Sequence, residues 1–142
     1  MLRSDAEIAL DEALLAAAEA GRIYREAALT SERFRQRLTE AAALRDSIAQ
    51  DLAQAARKVG WLPAGPDPDL ETARELTDEM RLAIEPATDV PLAEERRLAD
   101  QEAMKKLTRL LEMTDLPTPV AEAASSALAR LRERDAEPSQ TT

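Results

Sequence analysis

The chain has 142 residues, which favours a single domain, and 44% of them are hydrophobic, which is enough to form a core. It contains no cysteine and no histidine, which excludes disulfides, thiolate ligands and a cysteine nucleophile, and also the residue that most often binds metals or moves protons at neutral pH. The net charge of −9 argues against nucleic acid and anionic membranes as partners.

The composition favours helices over strands. Alanine and leucine are the commonest apolar residues, whereas glycine occurs three times and only Tyr24, Phe34 and Trp61 are aromatic. Alanine and leucine are strong helix formers, and strands are usually rich in β-branched and aromatic residues. We therefore expect an all-α protein.

Capping signals locate the first two of five predicted helices. The first begins after Ser4, whose spacing to Glu7 is that of a capping box, and it runs to about Ala28. Thr30 or Ser31 can cap the second predicted helix, since both have a side-chain oxygen that can accept a backbone N–H.

The second predicted helix runs from about Glu32 to Lys58. Gly60 follows it at the position where a left-handed residue commonly ends a helix. The Pro/Gly-rich connection 61–69 comes next, and a shorter third helix is predicted from about Asp69 to Ile84.

The fourth predicted helix spans about Leu92 to Glu112, and Pro119 opens the fifth. Order is expected to fade after about Arg134. The prediction is one domain over residues 1–135, followed by a disordered polar tail over 136–142.

The four longer helices each carry an apolar stripe at helical spacing. The predicted inward residues are Leu10, Leu14, Ala17, Gly21, Tyr24 and Ala28; Phe34, Leu38, Ala41, Ile48, Leu52 and Val59; Leu92, Ala103, Met104, Leu107, Leu110 and Leu111; and Val120, Ala121, Ala124, Leu128 and Leu131. Stripes of this kind must cover one another. They predict an antiparallel four-helix bundle in which the short third helix lies in a long crossover, as in ferritin-like proteins.

Four stretches resemble an uncharacterised bacterial family of ferritin-like four-helix bundles. Residues 20–28 (AGRIYREAA) resemble its first-helix motif, and residues 57–66 (RKVGWLPAGP) resemble the turn after its second helix. Residues 94–111 and 116–132 resemble its last two bundle helices. The resemblance implies a fold and no particular activity.

A ferritin-like bundle raises the possibility of a di-iron centre, which needs inward Glu residues and two Glu-x-x-His motifs. Both histidines are missing, and the acids of the long helices lie off the apolar stripes, with one exception, Asp100. A single inward carboxylate cannot hold two irons. We therefore predict no metal, no cofactor and no catalytic residue.

The inward charged residues predict a buried polar cluster of Arg45, Arg96 and Asp100. Arg96 and Asp100 are four residues apart, which permits a pair within one helix, and Arg45 can meet Asp100 across the bundle. An unpaired buried ion costs several kcal/mol, so either these charges pair or their stems lead out to water. A polar pocket for a small anion is the alternative.

Some apolar residues lie off the stripes and predict a possible interface. Ile8 and Ile23 share the outer side of the first helix, Leu98 lies opposite the fourth helix's stripe, and Trp61 is in the connection. We expect a homodimer through these residues, with Ile23 near the centre of the interface. The alternative is that the third predicted helix covers Ile8 and Ile23 within one chain. Trp61 is also expected to cap the end of the bundle.

The expected function is that of a non-catalytic helical bundle that acts by protein interaction or assembly in the bacterial cytoplasm. Alternatives are an export chaperone or adaptor, a degenerate ferritin-like metal or ligand carrier, and a small-ligand sensor.

Overall fold

The structure, a computed structural model, describes residues 4–62 and 92–136. Over these ranges the chain forms helices and no strand. The helices are α1 (Asp5–Thr30), α2 (Arg35–Lys58), α3 (Leu92–Leu111) and α4 (Thr118–Ala136). Both α1 and α4 pack against α2 and α3. The described helices therefore form a ring with α1 opposite α4 and α2 opposite α3, and the prediction of an all-α bundle is confirmed.

Some predicted elements lie outside the described residues. They are the third predicted helix over 69–84, most of the connection before it, and the polar tail beyond residue 136. The short helix in the crossover and the disordered tail therefore stay predictions, as does the single domain.

The predicted cap of α1 is present. The Ser4 hydroxyl oxygen accepts a hydrogen bond from the backbone N–H of Glu7 at 3.2 Å. Asp5 and Glu7 place negative charge in the first turn, where the helix dipole favours it. At its other end α1 continues two residues beyond the predicted Ala28, to Thr30.

The start of α2 differs from the prediction. Ser31 uses its hydroxyl as expected and accepts the N–H of Phe34 at 3.2 Å. The three residues after Ser31, however, form a turn, and the helix begins at Arg35 instead of Glu32. Phe34 occupies the N-cap position and supplies no side-chain hydrogen bond. The Ser31 cap therefore closes the turn and not the helix.

A Schellman motif ends α2. Gly60 has a φ of 80°, its N–H donates to the carbonyl of Arg57 at 3.1 Å, and the N–H of Trp61 donates to the carbonyl of Ala56 at 2.8 Å. The prediction of a left-handed residue at Gly60 is confirmed.

The main core draws on all four helices. Its largest fully buried side chains are Leu10, Ile48, Leu52, Leu107, Leu110 and Val120. A second, smaller apolar cluster of Ala27, Ala28 and Leu38 lies near the α1–α2 turn, and Tyr24 and Phe34 pack against it. The predicted stripes therefore supply much of the observed core.

Candidate functional site

Charged and polar side chains from three helices meet inside the bundle. Arg45 of α2 is only 3% exposed, and its guanidinium forms a bidentate pair with Asp100 of α3. Nε donates to Oδ1 and Nη2 donates to Oδ2, each at 2.8 Å. This geometry matches the planar fork of an arginine to both oxygens of a carboxylate.

Tyr24 of α1 completes the arrangement. Its hydroxyl donates to Oδ2 of Asp100 at 2.5 Å and accepts from Nη2 of Arg45 at 3.0 Å. The guanidinium carbon of Arg45 also lies 3.8 Å from the centroid of the Tyr24 ring, which is close stacking. These three residues are called the Tyr24–Arg45–Asp100 network below.

The network is closed by a backbone contact on α2. Nη1 of Arg45 donates to the carbonyl oxygen of Ala41 at 2.8 Å. The positive charge of Arg45 is balanced by the negative charge of Asp100. In the described ranges, every buried side-chain nitrogen or oxygen has a hydrogen-bond partner. The buried polar atoms of the network therefore bind one another or the backbone of α2.

The electrostatics of the network keep Tyr24 protonated. Burial raises the pKa of the Tyr24 phenol, and the charge of Asp100 and its hydrogen bond raise it further. Arg45 and Arg96 oppose this shift but do not outweigh it. The Tyr24 hydroxyl is therefore a hydrogen-bond donor at neutral pH and not a general base.

Arg96, the third residue of the predicted cluster, lies beside the network without joining it. It is half-buried, and its guanidinium carbon lies 5.9 Å from the centroid of the Tyr24 ring. Within the described residues it forms no ion pair with Asp100, although the two are four residues apart on α3. The structure thus brings together Arg45 and Asp100, and it places Arg96 against an aromatic face instead of a carboxylate.

The helical pattern does not indicate the polar roles of two residues. Half-buried Tyr24 lies on the apolar stripe of the first helix, which predicts a core residue, although a buried tyrosine hydroxyl usually needs a partner. Asp11 of α1 is 5% exposed and lies off that stripe, so no feature of the helical pattern indicated its burial.

The four predicted interface residues differ in exposure. Ile8 and Leu98 are exposed, at 44% and 50%, whereas Ile23 is half-buried. Trp61 is half-buried and packs against the main core, as expected for a residue that caps the end of the bundle.

The acids considered as metal ligands lie at the surface. Glu12 reaches Lys106 of α3 at 3.3 Å, Glu19 pairs with Arg22, and Glu40 and Glu122 are exposed. In the two described ranges, no three acidic side chains come close enough together to hold a metal ion.

Comparison of the chain with models of protein families, with curated proteins and with solved structures finds no match. Among the described helices, none combines the length and the apolar character needed to cross a membrane. The resemblance to a bacterial ferritin-like family therefore stays a prediction from the residues quoted above.

Proposed function

We propose that this protein is a non-catalytic helical bundle that acts by binding or assembling with protein chains. The observation that carries the proposal is the closed Tyr24–Arg45–Asp100 network. Its donors and acceptors bind one another and link α1, α2 and α3. A catalytic or ligand-binding cluster needs at least one polar group left free for its substrate.

The small-anion pocket is the weaker alternative for the same residues. An anion would need an arginine with free N–H groups and access from solvent. Arg45 is almost fully buried, and the Asp100 carboxylate already occupies its bidentate edge. The network therefore favours a structural role, which leaves the protein's surface as the place where it acts.

The form of assembly that we propose is a homodimer. Ile8 on α1 and Leu98 on α3 are exposed aliphatic side chains on two helices that pack against each other, and they lie toward opposite ends of that pair. Burying them against a second copy around a twofold axis removes apolar surface from water on both chains. Ile23 is half-buried, so we expect it at the edge of such an interface and not at its centre.

Sedimentation equilibrium at micromolar concentration tests the assembly. We expect a mass of twice 15.6 kDa for the wild type and a monomer for Ile8→Glu. Ala129→Glu is the matched control, because Ala129 is exposed on α4, which lies opposite α1 in the ring. A monomeric wild type would contradict the homodimer. Stoichiometric iron or manganese in the purified protein would contradict the non-catalytic function.

The proposal includes an antiparallel, ferritin-like course of the helices. Two observations support it. Tyr24 meets Asp100 while Glu12 meets Lys106, so residue numbers rise along α1 as they fall along α3. Moreover, α2 and α3 lie at opposite corners of the ring although they flank the long connection, which is typical of bundles with one crossover.

We also propose a location in the bacterial cytoplasm. The resemblance of the helices is to a bacterial family, and a chain without cysteine gains nothing from an oxidising compartment.

A further inference from the structure

The α1–α2 turn is the basic end of an acidic chain. Residues 22–37, called the basic hairpin end, comprise the last turns of α1, the turn and the first turn of α2. They contain five arginines and two glutamates, a net charge of +3, whereas the whole chain carries −9. Positive charge is therefore concentrated in one short part of the molecule.

A groove of about 450 Å³ lies on this part of the surface. Ala28 and Leu29 form its apolar part, and its other lining residues are three arginines, one glutamate and a threonine: Arg22, Arg25, Arg35, Glu26 and Thr39. Leu29 is 77% exposed, so its side chain is accessible to a partner at this surface.

Two of the five arginines of the basic hairpin end are paired with carboxylates on the helices. Arg22 pairs with Glu19 and Glu26, and Arg25 pairs with Asp46.

Arg33 and Arg35 are different, because neither has a carboxylate partner within the described part of the chain. Arg33 lies over the ring of Phe34, with 5.1 Å between guanidinium carbon and centroid. Arg35 donates its Nε to the carbonyl of Ala28 at 3.1 Å, which fixes the guanidinium beside the groove. Its two terminal nitrogens are left to bind an outside acceptor.

The charge of Arg35 is unfavourable for the dipole of α2. The first turn of a helix favours acidic residues, and that of α2 has none, although Arg35 and Arg37 lie there. Residues that oppose local stability are often retained for function.

We propose that this groove binds an acidic segment of a partner protein, in which carboxylates flank an aliphatic side chain. The aliphatic side chain packs on Ala28 and Leu29, and a carboxylate pairs with the terminal nitrogens of Arg35. The inference rests on the proposed function, since it names the class of partner and the surface that binds it.

Other occupants fit the groove less well. Nucleic acid and anionic bilayers are extended polyanions, which a chain of net charge −9 repels at long range, and nucleic acid offers no aliphatic side chain. A twofold contact between two basic hairpin ends would bring like charges together. A short acidic peptide meets only the local positive charge.

Fluorescence anisotropy with the full chain tests the inference. The probe is a labelled amphipathic peptide of leucine and glutamate, compared with the same peptide carrying glutamine for every glutamate. We expect the acidic peptide to bind, and the glutamine peptide to bind at least about tenfold more weakly. Arg35→Glu should also weaken binding of the acidic peptide at least about tenfold.

Arg132→Glu is the matched control, because Arg132 is exposed on α4 and all the groove residues lie on α1 and α2. It should leave affinity within about twofold, since a distant exposed charge is largely screened. Arg35→Gln gives a second variant if Arg35→Glu fails to fold, and circular dichroism checks folding in each case.

Three results would overturn the inference: no binding of the acidic peptide at low salt, equal binding of the glutamine peptide, or equal losses in Arg132→Glu and Arg35→Glu. Tighter binding of phosphatidylserine vesicles or duplex DNA than of the peptide would also overturn it. A dimer that persists by sedimentation while the peptide fails to bind would leave the proposed function standing and reject only this groove.

Discussion

Arg45 is a buried charge whose desolvation must be offset by its contacts. The bidentate pair with Asp100, the Tyr24 hydroxyl and the Ala41 carbonyl provide that compensation. Such an ion pair often adds little net stability over apolar residues of the same volume. We therefore infer that its main effect is to specify how α1, α2 and α3 align, because a shift of one helix breaks several bonds at once.

Removing Asp100 should expose the cost of burying Arg45. We expect Asp100→Ala to lower the free energy of unfolding by about 3 kcal/mol, because it leaves a buried cation without a counter-ion. Asp100→Asn should cost less, since it keeps the shape and one acceptor oxygen. Urea denaturation of the two variants and the wild type measures the difference.

Exposed Glu94 on the same helix supplies the control for Asp100. It forms an ion pair with Arg97 in which both side chains are about half exposed, and such pairs contribute at most about 1 kcal/mol. A urea midpoint for Asp100→Ala that matches the midpoint for Glu94→Ala would show that the network contributes no more than a surface pair.

Tyr24 should make stability depend on pH above neutrality. Burial raises the pKa of its phenol in the folded state, whereas the phenol in the unfolded chain has a pKa of about 10. The folded state therefore holds the phenol proton more tightly than the unfolded state does. The stability that the Tyr24 hydroxyl contributes is complete below about pH 10 and is lost as the pH rises further.

Tyr24→Phe is the matched variant for this effect, because it removes the hydroxyl and keeps the ring over Arg45. The wild type should be more stable than Tyr24→Phe by about 1 kcal/mol at pH 7, and the gap should narrow as the pH rises above about 10. Urea denaturation at pH 7 to 11 measures this difference in stability. The lysines titrate alike in both proteins, so their effect cancels in the difference. A gap that is constant or widens with pH would contradict the raised pKa.

Arg45 and Asp100 are the part of the network that the sequence predicts, and the reason is physical. Arg45 and Asp100 interrupt apolar stripes, and an isolated charge in such a stripe must find a counter-charge. Tyr24 gave no such signal, because a tyrosine fits an apolar stripe whether or not its hydroxyl is bound. The position of Arg96 depends on where the Tyr24 ring lies between α2 and α3, which the pattern of a single helix does not contain.

At the scale of the elements, α1 and α2 form a helical hairpin in which the start of α2 contacts the end of α1. Arg35 at the start of α2 caps the carbonyl of Ala28 near the end of α1. Gly21 leaves room for the Asp46 side chain, because a Cβ there would clash with Oδ1 of Asp46 and lie 3.2 Å from its Cγ, whereas the Ala42 carbonyl oxygen, at 3.4 Å, would be in ordinary contact. The same carboxylate pairs with Arg25 across the hairpin.

Substitution of Gly60 measures how much the left-handed residue at the end of α2 contributes to stability. We expect Gly60→Ala to lower the free energy of unfolding by about 1 kcal/mol, because its φ of 80° is unfavourable for residues with a Cβ. No atom of the described residues lies within 4 Å of the position of that Cβ, so steric contact with them adds nothing. Gly60→Asn should cost less, since asparagine tolerates this conformation better. Equal stability of all three proteins by urea denaturation would contradict the strained backbone.

The two ends of α2 show what the sequence can and cannot predict about an element. Gly60 predicts the C-terminal end of α2, because few residues other than glycine adopt its conformation. The N-terminus was predicted three residues early, because Ser31 is a valid cap for a turn as well as for a helix. The choice depends on Phe34 packing against the small cluster beside Leu38, which is a tertiary contact.

At the scale of the whole molecule, charge pairs join helices around the ring at its surface. Glu12 contacts Lys106 and Arg109 between α1 and α3, Asp51 contacts Arg130 between α2 and α4, and Arg25 pairs with Asp46 between α1 and α2. Each pair contributes little to stability by itself. Together they disfavour other arrangements of the helices, since exchanging two helices would bring different charges together.

The direction of α3 relative to α2 decides between the crossover bundle and a simple up-and-down bundle. In the proposed course both helices point the same way, so their first residues lie at one end of the ring, and α3, with 20 residues, extends about 30 Å toward the other. Spin labels on Gln36→Cys with Glu94→Cys should therefore be closer than labels on Gln36→Cys with Glu112→Cys, by more than about 10 Å. All three positions are exposed, and the chain has no native cysteine. Pulsed electron paramagnetic resonance can therefore measure both distances without spin labels at other sites. The reverse order of the two distances would establish that α2 and α3 run in opposite directions and would reject the ferritin-like course.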